Sequence, residues 1–151
     1  MTLVAQHNLG IQHVRAWVLT HPDAGSGSLT YTAFNWKLNG ALNPCLIALR
    51  NASGSVISAA KGGGIQQASP VSTSGAPNAA TDLLCDIISR TDNDALIAAG
   101  SQTQLHDGGF RSRGAVSYRA PQNLDSLTFT WSWPGSGTED TAHMILSIPG
   151  R

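Results

Sequence analysis

SLTFTWSW, residues 126–133, decides the fold class of this chain. In an extended backbone Leu127, Phe129, Trp131 and Trp133 fall on one side, and Ser126, Thr128, Thr130 and Ser132 on the other. Successive side chains of a strand point to opposite faces, so this strict period of two reads as a β-strand with one buried face. The three rings alone would expose on the order of 600 Å² at 150–250 Å² each, a patch that monomers rarely leave in water. Buried, that area is worth at most about 15 kcal/mol at ~25 cal/mol per Å². The aromatic side is therefore assigned to the core. Trp133 ends the strand beside Pro134, and its ring is expected to be partly exposed there. The hydroxyl row is assigned to solvent or a partner subunit.

The same period recurs along the chain. HVRAWVLT (13–20) sets Val14, Ala16 and Val18 against Arg15 and Trp17, and SLTYTAF (28–34) sets Leu29, Tyr31 and Ala33 against Ser28, Thr30 and Thr32. HPDAGSG (21–27) between them reads as a loop. Asn39-Gly40 suits a tight hairpin turn, and CLIALR, NASG and SVISAA (45–60) read as strand, turn, strand. Further on, strands are predicted in DLLCDIISR (82–90), ALIAAGSQTQLH (95–106), AVSYR (115–119) and AHMILSI (142–148). TDND (91–94), GGFRSRG (108–114), APQNLD (120–125) and PGSGTED (134–140) supply the turns and loops.

Two segments lack this pattern. Residues 61–81, KGGGIQQASPVSTSGAPNAAT, are polar and rich in Gly and Pro, and are predicted to form a long polar loop. Residues 1–13 read as an N-terminal arm. No amphipathic helix longer than two turns is evident. Eight to ten short strands predict an all-β fold: one domain over 1–151, a two-sheet antiparallel sandwich, jelly-roll-like, with long polar loops.

Composition narrows the function classes. A chain of 151 residues suits one domain and buries roughly 70% of its unfolded surface. Net charge is zero and the chain has two lysines, so the basic footprint of a nucleic-acid binder is missing. No run approaches the length of a membrane span. MTLVAQHNLG lacks the basic start and apolar run of a secretory signal, so synthesis in a cytoplasm is expected and Asn51-Ala52-Ser53 is read as a turn, not a glycan acceptor. Cys45 and Cys85 lack the spacing of a metal or redox motif and are expected to be two buried thiols. A charged fraction of 12% weakens colloidal repulsion, which suits a protein that spends its life assembled.

The candidate chemistry is thin. His21, Asp23 and His106, Asp107 place carboxylates beside imidazoles, but triads are recognised by geometry and not by proximity in sequence. Glu139 and Asp140 could serve as paired carboxylates, and Asp92, Asn93 and Asp94 offer oxygen ligands for calcium without an EF-hand loop. KGGG (61–64) fits neither phosphate-loop template and reads as a flexible hinge. No catalytic residue, cofactor or metal is assigned, and the chain is not expected to be an enzyme. The interface candidates are Trp17, Phe110, Arg111, Arg113 and Trp133, because aromatic and Arg side chains are enriched at binding hot spots.

From Asp82 to Ile148 the order of elements resembles small β-sandwich proteins of tailed-bacteriophage virions. It runs through LLCDIISR, the acidic TDND turn, GSQTQL, the Tyr-bearing GAVSYRAP, LTFTWSW and a closing aliphatic strand, while LIALRNASGSVIS looks like a jelly-roll hairpin. The resemblance implies a capsid decoration (cement) protein located in the virion. Its implied partners are the major capsid protein or another virion protein, and a second copy of itself in a dimer or trimer. The alternative is a tail- or fibre-associated or carbohydrate-binding module, with Trp17, Trp36 or Trp133 as a stacking platform.

Overall fold

The structure, a computed structural model, describes residues 2–18, 45, 47, 56–109 and 112–150. The expected strand at 28–34, the turn at Asn39-Gly40, most of the expected hairpin at 45–60, and Trp36, Phe110 and Arg111 lie outside these residues. The described chain is all-β, with antiparallel sheets and no helix among the described residues. Its strands are β1 (Thr2–Leu9), β2 (Gln12–Val18), β3 (Ile57–Ala68), β4 (Val71–Gly75), β5 (Leu83–Arg90), β6 (Ile97–Ala98), β7 (Thr103–Gly109), β8 (Arg113–Arg119), β9 (Leu127–Ser132) and β10 (Thr138–Ile148).

Pairing is nested. β3 pairs with β10, β4 with β9 and β5 with β8, as in one long ribbon folded back on itself. Three further pairings, β10 with β5, β9 with β6 and β8 with β7, wind that ribbon into two sheets. Their orders are β3-β10-β5-β8-β7 and β4-β9-β6, and β1-β2 forms a separate hairpin.

Two layers of core result. Phe129, Trp131 and Trp133 meet Leu84, Ile88, Ala115 and Ile145 of the five-stranded sheet, so the aromatic side of SLTFTWSW is interior as its period requires. The other face of the five-stranded sheet carries Cys85, Val116, Ala142, Met144, Leu146 and Ile148, packed against Ala5, Val14 and Ala16 of the hairpin. The central strands β5 and β10, covered on both faces, have no solvent side. This is why residues 141–148 of β10 are buried without a break, and why LLCDIISR and AHMILSI show runs of apolar residues in place of alternation. On the outer face of the three-stranded sheet the expected hydroxyl row is engaged by its neighbour strand: Ser72 bonds Thr130 and Ser74 bonds Thr128, each at 2.8 Å.

Three expectations are corrected. Residues 61–81 are not one long loop, because β3 runs through Ala68 and β4 occupies Val71–Gly75. In VSTSG the buried members Val71, Thr73 and Gly75 alternate with exposed Ser72 and Ser74, a period disguised by small and polar residues. KGGG is accordingly no hinge. A Cβ on Gly62 would lie 2.0 Å from Thr73 Oγ1, and one on Gly63 would lie 2.3 Å from the Thr141 carbonyl oxygen, so strand and neighbours approach too closely for a side chain. Residues 1–13 are not an arm. They enter a hairpin whose turn has Gly10 at φ 57°, suiting the primed turns of two-residue hairpins. His7 Nε2 donates to the Gly62 carbonyl at 2.9 Å, and Ser89 Oγ donates to Gln12 Oε1, fixing the hairpin to the sheet.

Gly63, at φ 94° and against backbone, is the most demanding of these positions. Gly63→Ala is expected to cost at least about 3 kcal/mol in urea denaturation, from left-handed strain plus the clash. Gly100→Ala, with nothing within 4 Å of the new methyl, is expected to stay within about 1 kcal/mol of the parent.

Candidate functional site

Between the two sheets lies a polar cluster that no sequence motif announced. The inward positions of β5 are Leu84, Asp86, Ile88 and Arg90, so alternation places a carboxylate in the middle of the core. Asp86 Oδ1 accepts from the Ser117 amide at 3.1 Å and from Ser117 Oγ. Its Oδ2 accepts from His143 Nε2 at 2.8 Å and from the Trp131 indole nitrogen. Gln102 extends the chain of bonds, donating to Ser117 Oγ at 3.0 Å and accepting from the Thr130 amide at 2.6 Å. Asp86, Ser117, Trp131 and His143 all have 0% exposure.

Ser, His and Asp together invite comparison with a nucleophilic triad, but the connectivity differs. A triad runs from nucleophile to base to orienting carboxylate. Here Ser117 and His143 each bond Asp86, one on each oxygen, and the hydroxyl donates to the carboxylate. With no exposure, the group reaches no solute. Its action is to tie β5, β8, β9 and β10 together through one residue.

At the end of the same inward row Arg90, 1% exposed, lies with its guanidinium 4.8 Å from the Trp133 ring centroid. Asp92, Asp94 and Glu139 surround it at 3.5, 4.0 and 3.7 Å, and the Asp94 carbonyl accepts from Nη1 at 3.3 Å. The oxygens considered for calcium thus face a cation. Among the described residues no group of three or more His, Cys, Asp or Glu is placed to hold a metal. Glu139 also accepts from Thr91 Oγ1, and Asp140 accepts from the Gln66 amide at 3.0 Å, so the expected carboxylate pair is divided between two local tasks.

The interface candidates separate. Trp133 is 5% exposed beneath Arg90, which corrects the expectation of a partly exposed ring and removes it as a stacking platform. Arg113 grips Asp107 with two bonds, at 2.5 and 2.7 Å, and reaches the Asn93 carbonyl at 3.2 Å. Trp17 lies on the outer face of the hairpin at 38% exposure. Phe110 and Arg111 lie outside the described residues.

Cross-strand partners on that outer face are Leu3 with Trp17, Gln6 with Arg15 and Asn8 with His13, all exposed. Beside β1 an open groove of about 280 Å³ is lined by Leu3, Val4, Ala5, Gln6 and Lys61. Other exposed apolar side chains are Ile11, Ile65, Ile97, Leu105 and Leu124. Of the two cysteines, Cys85 is buried as expected but Cys45 is exposed. Burial, reinforced by the neighbouring Asp86 and Cys45, pushes the Cys85 thiol up to about 12.

Compared with protein families, curated proteins and solved structures, the chain matches none. Its reading rests on its own geometry. Sequence reasoning passed over Asp86, Gln102, Ser117 and His143. The available signal was a polar residue at an inward position of an otherwise apolar strand, as in LLCDIISR and AHMILSI.

Asp86→Asn replaces one acceptor oxygen with a donor amide among four donors, and is expected to cost about 3–5 kcal/mol by denaturant titration. Ser117→Ala should cost less, about 1–2 kcal/mol, since the backbone amide still reaches the carboxylate. The Cys85 proton gives a second test. An unfolded thiol ionises near 9.0 while the folded one holds its proton to about 12. The stability contributed by Cys85 is therefore intact below pH 9.0 and lost as pH rises toward 12. In Cys85→Ala this part of the alkaline decline should vanish, read as a flatter plot of unfolding free energy against pH.

Proposed function

We propose that this protein is a jelly-roll structural component of a tailed-bacteriophage virion, a capsid decoration protein that binds and stabilises the assembled head lattice. The nested pairings β3·β10, β4·β9 and β5·β8 support the fold half of this reading. These three nested pairs are those of a jelly-roll ribbon, an architecture that serves viral capsid and lectin domains, although β7 joins β8 and not β6. Fold does not choose between such roles. The order of elements from LLCDIISR to LTFTWSW resembles that of small virion proteins, and this resemblance favours the capsid.

The observation that carries the functional half is the hairpin tip. Ile11 and Ile65 are the most exposed large apolar residues described, at 72% and 61%. They belong to one end of the molecule, because a Cβ on Gly10 would lie 3.7 Å from Ile65 Cγ1. Two aliphatic side chains, one in the β1–β2 turn and one in the irregularity of β3 between Gly64 and Gln67, suit insertion into a joint between subunits. A lattice that binds only the folded protein, and is itself clamped in return, gains stability by mass action. The low surface charge suits dimers or trimers on such a lattice.

Cosedimentation with undecorated, expanded heads of a phage encoding the protein tests this reading, with light scattering to read the oligomer. Ile11→Asp together with Ile65→Asp should weaken head binding by at least about 100-fold, from two aliphatic burials of ~1.5–3 kcal/mol each. Thermal unfolding should be nearly unchanged. A strict monomer that ignores the heads, or a double variant that binds them as well as the parent, would overturn the assignment.

A further inference from the structure

We propose that the outer face of the β1–β2 hairpin, with the groove beside Lys61, binds an acidic carbohydrate, a glycan bearing uronate or sialate carboxylates. The inference is independent of the virion reading and concerns a different surface from the hairpin tip.

Three features converge there. The indole of Trp17 and the side chain of Leu3 sit side by side as cross-strand partners and give an exposed apolar platform. The next rung, Gln6 with Arg15, lies past the bulge between Leu3 and Ala5, about 7 Å along β2 at two residues' rise. It presents an amide that donates and accepts, and a guanidinium whose planar fork matches a carboxylate. Leu3 and Gln6 also line the groove, together with Lys61 of β3. Platform, fork and groove therefore form one continuous site. The groove, at about 280 Å³, falls just below the ~300–1,000 Å³ of drug-sized pockets and suits a single sugar ring.

Charge selects the acidic class. Between Thr2 and Val18 there is no Asp or Glu, and the face carries Arg15 with Lys61 beside it. Among the described residues, Asp140 lies beside the hairpin at its opposite end, where a Cβ on Gly10 would be 3.0 Å from its Oδ2. Six residues of strand separate Gly10 from Val4, about 20 Å and more than two Debye lengths at physiological salt. Among the described residues neither Arg15 nor Lys61 has an ion-pair partner, and a neutral sugar would supply none. A glycan with carboxylates satisfies them while its ring faces cover the indole, and its hydroxyls match the amides of Gln6 and Asn8.

Titration calorimetry with tetragalacturonate and with sialyllactose tests the site, using maltotetraose as the neutral control and a poly-glutamate peptide as the acidic non-sugar. The acidic sugars should bind at millimolar strength or tighter. Trp17→Ala and Arg15→Ala should each weaken binding about tenfold or more, with near-ultraviolet circular dichroism unchanged. Arg15→Ala combined with Lys61→Ala should abolish the preference over maltotetraose, and raising salt to about 0.5 M should weaken the parent. The Ile11→Asp, Ile65→Asp variant should retain sugar binding, which separates this site from lattice attachment. Failure of both acidic sugars to bind, equal binding of maltotetraose, or tighter binding of poly-glutamate that ignores Trp17→Ala would each sink the proposal.

Discussion

An indole buried at the centre of a fold brings an N–H that must be met, and in this protein the acceptor for Trp131 is Asp86. A buried carboxylate costs several kcal/mol in desolvation unless its oxygens are filled. Asp86 fills both, each with two donors, drawn from β8, β9 and β10 around its own β5. The arrangement constrains more than one residue. A slip of one position in β5 would carry Asp86 to the hairpin side, among Val14, Met144 and Val116, and leave four donors facing apolar surface. An apolar residue at position 86 would tolerate such a slip better. The network therefore specifies register in a chain whose other strands are rich in small, interchangeable residues.

Those small residues explain what could and could not be read ahead of the structure. Where alternation used large side chains, as in SLTFTWSW and HVRAWV, the strand and its buried face were legible. Where it used Thr and Gly, as in VSTSG, the same period looked like a loop, because a buried Thr73 or Gly75 carries no hydrophobic signal. The triple glycine read as flexibility and is instead the mark of close approach, with Thr73 and the Thr141 backbone occupying the space of absent side chains. Trp133 was misjudged on local grounds. Proximity to Pro134 argued for exposure, while the covering Arg90 comes from a strand more than forty residues away. Cys45 was misjudged for a related reason, since composition alone favours burial of a thiol and says nothing of the neighbours that would cover it.

The candidate site was less legible than the fold, and the cause is physical. Chemistry visible in sequence depends on residues close together, such as His106 with Asp107 or Glu139 with Asp140. In the structure such neighbours are parted or engaged elsewhere: Asp107 holds Arg113, and Glu139 faces Arg90 while Asp140 accepts the Gln66 amide. Sheet topology instead assembles residues from distant strands. Asp86 and His143 are 57 positions apart, and Leu3 meets Trp17 only because the chain turns at Gly10. Trp17 was singled out from sequence, but its partners Leu3 and Gln6 and the adjoining Lys61 emerge only from pairing.

The two outer faces are not equivalent. On the three-stranded sheet, Ser72, Ser74, Thr128 and Thr130 bond one another across the strands. A surface whose hydroxyls are already paired gains little by pairing them with a partner, since each new bond replaces an existing one. The hairpin face differs in kind. It carries long side chains, an indole and a cation, on an element tied to the body mainly by Ala5, Val14, Ala16, His7 and Gln12. All of these point inward, while Leu3, Gln6, Asn8, His13, Arg15 and Trp17 point out. Residues of that outer face can therefore change without disturbing either the attachment of the hairpin or the Asp86 network beneath it. A core held in register by one sealed carboxylate leaves the hairpin face free to vary without cost to the fold.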